Sequence, residues 1–276
     1  MPGLRVARVL SRDFDGRSET SLDPDLRVFV SDLARPYGVA LREDLLRQGV
    51  GHSYGEMAEG LLQDAFPPDG PPVDLLVLAF DLPDVRPGRS TAVHLSGFCP
   101  GSPLAFAICD QGTAAAFTAL RIVADHFATG ACRRAAVLVV EQTSLHHTPT
   151  EPVRLPDRHC AVLLVCEEAG EPEVTVRQLS GSGLAPAEAD ALVAAERKEL
   201  GPDTAVLLGD GLTVVHASMG DGPVSHARKG QPFTGVWTEL AARLPVWRSE
   251  GRPVLVADLD RRFGRLSVLT VLPESR

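Results

Sequence analysis

Residues 103–140, PLAFAICDQGTAAAFTALRIVADHFATGACRRAAVLVV, decide how this chain is read. An apolar run from Pro103 to Cys109 reaches a turn at Asp110-Gln111-Gly112. A helix then opens at Thr113 and stops at Gly130, and a second apolar run, Ala136 to Val140, follows. Strand, turn, helix and strand in this order present one side chain at a helix N-terminus. A cysteine there would gain from the unpaired amides and the positive end of the helix dipole, which lower a thiol's pKa and turn it into a nucleophile. The helix opens instead on Asp110, Gln111, Gly112 and Thr113. A threonine hydroxyl gains far less from that field and needs an adjacent base, which the neighbouring sequence does not offer.

Working outward, Val73 to Phe80 is apolar apart from Asp74 at its start, as expected of a strand covered by helices on both faces. Residues 51–66 hold an amphipathic helix with Met57, Leu61, Leu62 and Ala65 on one face, ended by Pro67-Pro68. Leu4 to Leu10 reads as a first strand, Leu26 to Val30 as a second strand or hairpin arm, and Ala161 to Cys166 as a buried strand. Gly170 to Pro172 marks the passage to a second half. There Ala185 to Leu200 is helical, with Pro186 in its first turn and Gly201-Pro202 at its end. Ala205 to Leu208 is a short buried strand, Val236 to Leu244 an amphipathic helix, and Pro253–Asp258 with Ser267–Leu272 an antiparallel pair. Residues 217–232, rich in Gly, Ser, Pro and charge, read as a loop.

At 276 residues the chain can bury a full core. No apolar run approaches the roughly 18 residues that cross a bilayer, and the start, MPGLRVARVLSRDFDG, lacks the apolar centre of a signal peptide, so a soluble, cytoplasmic protein without a membrane partner is expected. A net charge of −9 argues against nucleic acid as a partner. Five cysteines, at 99, 109, 132, 160 and 166, form no CxxC pair, which speaks against zinc and a disulfide framework. His146-His147 with Glu141 is not read as a metal site, because adjacent residues on an extended strand face opposite ways. Gly209-Asp210-Gly211 lacks the spacing of a phosphate cradle, so no cofactor is expected.

Val73-Asp74-Leu75-Leu76-Val77-Leu78-Ala79 followed by Asp81-Leu82-Pro83-Asp84, then Ala136 to Val140 with Glu141-Gln142-Thr143, and Ala161 to Cys166 with Glu167-Glu168, resemble the thiolase superfamily. The likeness runs over residues 50–170 and is in particular to β-ketoacyl-acyl carrier protein synthase III and its natural-product relatives. It implies an α/β thiolase-like fold of duplicated βαβ halves in α-β-α-β-α layers. The N-terminal half would span residues 1–172 and a shortened C-terminal half residues 173–276.

The same resemblance implies three catalytic positions, and each is altered. Counting back from Gly130 puts the family's cysteine at Thr113; counting forward from Phe106 puts it at Gly112. The strand Ala205–Leu208, which in the family ends in the catalytic histidine, ends here in Gly209-Asp210-Gly211. Lys229 to Gly235 resembles the turn carrying the third catalytic residue, with Gln231 where asparagine or histidine is expected. Gln111 resembles, at an offset of two positions, the glutamine that replaces cysteine in chain-length factors and in domains that only decarboxylate malonyl thioesters. Cys109 is either a displaced nucleophile or a strand-core residue, and His216 either a shifted replacement for the missing histidine or an ordinary strand-end residue.

Two functions follow from the resemblance. In the first, the chain is a non-condensing subunit of polyketide or fatty-acid-like biosynthesis. It would pair with an active ketosynthase, or with itself, beside the strand from Ala136, and shape the acyl tunnel. In the second it is an acyltransferase or decarboxylase acting on acyl thioesters through Thr113, Cys109 or Gln111. An acyl carrier protein is the expected further partner. Arg133-Arg134 and Arg261-Arg262-Arg265 read as solvated charges, with contact to such a carrier as the alternative.

Overall fold

The computed structural model describes residues 3–18, 20–179, 183–212 and 222–273. In the first half the order is β1 (Gly3–Phe14), α1 (Pro24–Ala34), α2 (Glu43–Gln48), α3 (Tyr54–Ala65), β2 (Leu75–Ala79), α4 (Thr91–Ser96), β3 (Leu104–Ile108), α5 (Ala114–Ala128), β4 (Arg134–Glu141) and β5 (His159–Ala169). In the second it is β6 (Val174–Gln178), α6 (Pro186–Leu200), β7 (Ala205–Leu208), β8 (Val224–His226), α7 (Gly235–Ser249), β9 (Val254–Asp260) and β10 (Arg265–Val271).

The strands form two five-stranded sheets, ordered β1-β5-β4-β2-β3 and β6-β10-β9-β7-β8. In each sheet the first three strands run antiparallel to their neighbours and the last three run parallel. The second sheet therefore repeats the first, with β9 the counterpart of β4 and α7 the counterpart of α5.

Composition assigns the layers. Helix α5 is apolar over most of its surface, burying Ala114, Ala115, Ala116, Phe117, Leu120, Val123 and Phe127 and leaving Arg121 and Asp125 exposed, so most of it must be covered. It lies with α7 between the two sheets, where the Phe117 and Trp237 rings meet at 4.9 Å. Helices α3 and α4 cover the outer face of the first sheet, and α6 that of the second. The result is the α-β-α-β-α stack expected from the sequence. A capping box starts α3: the Glu56 amide donates to Ser53 Oγ at 3.2 Å, and the Ser53 amide to Glu56 Oε2 at 2.8 Å.

Two expectations are corrected. Leu26 and Val30 lie on α1, not a strand; Asp23 accepts from the Asp25 amide and Pro24 opens the first turn, while the buried pair sits one helical turn apart. The segment 217–232 is not wholly loop, because Val224–His226 pairs with β7 as β8. The strand from Ala136 is interior, held between β5 and β2. The free edge on that side of the first sheet belongs to β3, with Leu104 59% exposed.

Candidate functional site

A cavity of about 960 Å3 opens at the C-terminal ends of the parallel strands, where open α/β sheets place their ligands. Both halves build it. Asp81 to Pro83 follow β2, Glu141 ends β4, and Gly112 and Thr113 precede α5. From the second half come Asp210 and Gly211 after β7, Pro232 and Phe233 before α7, and Asp258 to Arg262 at the end of β9.

Two carboxylates are exchanged between the halves. Asp260, the last residue of β9, accepts the Thr113 amide N–H at 2.9 Å through Oδ2 and the Phe263 amide at 3.0 Å through Oδ1, so it caps α5. Glu141, the last residue of β4, accepts the Phe233 amide at 3.1 Å, the Thr234 amide at 2.9 Å and the Thr234 hydroxyl, so it caps α7. Equivalent strand ends thus supply an anion to the other half's central helix. Each satisfies donors that a helix leaves open and meets the positive end of its dipole.

The approach is close enough to dictate the neighbouring residues. A Cβ on Gly112, which has φ +55°, would stand 1.7 Å from Asp260 Oδ2. One on Gly209 would stand 1.9 Å from Asp258 Oδ1, so the position after β7 admits no side chain.

Electrostatically the cavity floor is acidic. Burial pushes the Glu141 carboxyl up to about 7 despite its donors. Asp258, 3% exposed, is also pushed up to about 7, first by burial and then by the Asp260 charge. The Asp81 carboxyl is raised by burial and by Asp260, with Arg262 opposing. Asp258 accepts no hydrogen bond of ordinary geometry from a described residue; the Thr113 hydroxyl and the Leu259 amide only ease its ionisation from nearby. Thr113 Oγ1 is itself buried without a hydrogen-bond partner.

Of the residues singled out from sequence, Thr113 lines the cavity. Gln111 does not, and its Oε1 accepts from the Thr118 hydroxyl at 2.7 Å. Cys109 lies outside the lining too; burial and the adjacent Asp110 carboxylate push its thiol up. Asp110 occupies the turn with φ +59°, a conformation Asp tolerates better than most residues. Gln231 sits behind the wall, donating to Glu141 Oε1 at 2.9 Å and accepting from the Arg158 amide at 3.0 Å. His216 lies outside the described residues. Sequence reasoning read Asp258 only as the end of a strand and did not single out Asp260. The available signal was an acidic residue ending an apolar strand, in AVLVVE and again in LVADLD.

No protein-family model matches the chain, and no curated protein matches its sequence. Solved structures do. AbyA1, a tetronic acid condensing enzyme, superposes with a TM-score of 0.62 at 16% identity, over 99% of this chain and all (100%) of that one. The 3-oxoacyl-(acyl carrier protein) synthase III FabH of Pseudomonas aeruginosa PAO1 gives 0.60 at 16% identity, over 99% of each chain. ChlB3, an acyltransferase, gives 0.59 at 15% identity, over 99% of this chain and 98% of that one. The chain therefore has the thiolase fold, in the form seen in FabH-like condensing enzymes. No helix among the described residues is long and apolar enough to cross a membrane.

Proposed function

We propose that the chain is a non-condensing, ketosynthase-like subunit that pairs with an active ketosynthase in polyketide or fatty-acid-like biosynthesis. One observation carries this reading: the amide at the start of α5, which would stabilise a thiolate or an oxyanion, is held by Asp260. A nucleophile at residue 113 would develop negative charge beside Asp260 and Asp258, the reverse of what acyl transfer needs. The bare Gly209 and the engagement of Gln231 with Glu141 support the same reading. A cavity floor of carboxylates suits an apolar acyl chain poorly. The contribution to chain length would accordingly be made through the shared interface, at the β3 edge, where the partner's tunnel is shaped.

The second reading, an acyltransferase or decarboxylase, is favoured by the placement of Thr113, whose unbonded hydroxyl lies near a carboxyl that titrates about neutrality. Incubation with acyl-CoA and acyl carrier protein thioesters, followed by intact mass, separates the two. An unmodified mass, with co-purification of a co-expressed ketosynthase, is the expected result. An adduct abolished by Thr113→Ala or Cys109→Ala would establish the enzyme instead.

A further inference from the structure

The acidic floor of the cavity is not uniformly satisfied. Glu141 and Asp260 spend their charge on helix amides. The arginines at the mouth are also occupied: Arg154 pairs with Asp210, Arg261 donates to the Gly211 carbonyl at 3.0 Å, and Arg262 stacks on Phe263 at 5.1 Å. Among the described residues Asp258 has no arginine or helix amide at hydrogen-bond geometry, only the nearby Thr113 hydroxyl and Leu259 amide to ease its charge. It is 3% exposed, faces open volume, and is approached by Asp260 on its own strand, Asp210 after β7 and Thr113 before α5. A buried carboxylate in that position is costly unless a cation or several donors compensate it. Beside it the Thr113 hydroxyl oxygen is buried with no partner. Among the described residues no group of three or more His, Cys, Asp or Glu is arranged to hold a metal ion.

We propose that the cavity binds a small organic cation, with its primary ammonium group donating to Asp258 and Thr113 Oγ1 and its aliphatic body against Leu82, Leu145 and Phe233. An ammonium supplies the missing charge and three donors at once. The volume of about 960 Å3 lies at the upper end of the usual range for small-molecule sites. The apolar wall facing the carboxylates fits a ligand charged at one end only. This site is independent of the pairing role proposed above.

Titration calorimetry of the full chain at pH 8, where Asp258 is ionised, tests it with n-butylamine, 1,4-diaminobutane and uncharged 1,4-butanediol. Saturable one-to-one binding of the amines is expected, at least about tenfold tighter than the diol, which offers no charge-assisted hydrogen bond. Asp258→Asn should weaken amine binding at least about tenfold. Asp64→Asn, at the exposed pair with Arg12, should not change it. Equal binding of the diol, an unchanged affinity in Asp258→Asn, no saturation, or calcium ions displacing the amine would each overturn the proposal. Should Asp258→Asn fail to fold, the amine-to-diol comparison on the unaltered chain and the Thr113→Val variant decide it. Failure here leaves co-purification with a ketosynthase untouched, so the two readings fall separately.

Discussion

Restoring a thiol at the start of α5 measures the field that the structure places there. In Thr113→Cys, the new sulfur sits on a residue whose own amide is 2.9 Å from Asp260 Oδ2. The sulfur-to-carboxylate separation is then about 4–5 Å, and at an effective dielectric of about 20 the repulsion is about 3–4 kcal/mol. The helix terminus returns at most about 2 kcal/mol in favour of the thiolate. The balance, about 1–2 kcal/mol, moves a thiol titrating near 8.5 up to about 9.2–10. Alkylation by iodoacetamide as a function of pH, followed by intact mass, reads that midpoint. A Cys109→Ala background removes the one native cysteine that is not buried. Adding Asp260→Asn should lower the midpoint by about one unit or more. A midpoint below about 8.5 with Asp260 present, or no response to Asp260→Asn, would refute the argument that this helix end is already neutralised.

Stability should fall as pH rises through neutrality. Glu141 and Asp258 titrate about 7 in the folded chain, above their unfolded values, so the folded state binds the extra protons and loses that advantage at higher pH. His159, pushed down to about 4 by burial, acts in the opposite sense between about pH 4 and 6.5. The melting temperature is therefore expected to be higher at pH 6.5 than at pH 8, with a smaller difference in Asp258→Asn; a rise toward pH 8 would contradict it. Gly209→Ala should lose more than about 2 kcal/mol in urea unfolding, because its Cβ meets Asp258 Oδ1 at 1.9 Å. The loss should shrink by at least about 1 kcal/mol in an Asp258→Ala background, and a purely additive cycle would show that the two positions do not share the space. Leu104→Lys places a charge on the free edge of β3 and should halve the mass of any dimer seen by light scattering; an unchanged mass would exclude this edge as the interface.

Much of the architecture was readable because buried parallel strands are apolar without interruption. Leu75–Ala79 and Ala205–Leu208 cannot be mistaken for half-exposed surface. Helix α1 was misread because Leu26, Val28, Phe29 and Val30 imitate a strand, and Val28 and Phe29 stay 61% and 43% exposed, so their apolar character says nothing about a buried face. The three-residue β8 carries too little pattern to be seen. The spacing implied by the resemblance pointed to Gly112 or Thr113 at the start of the central helix, and both line the cavity. Gln231 could be placed near α7 for the same reason, but its engagement with Glu141, 90 residues away, could not.

The amino-acid order by itself determined that this is a layered α/β chain and that no cysteine stands where its central helix begins. Those facts follow from hydrophobic periodicity and from a single residue's identity. Only the tertiary structure decided that Asp260 and Glu141 would each close the other half's helix, and that Asp258 would face the cavity with no cation among the described residues paired to it. A carboxylate's surroundings come from segments distant in sequence, 147 residues apart for Asp260 and Thr113, and burial acts on the assembled site and not on the string of residues.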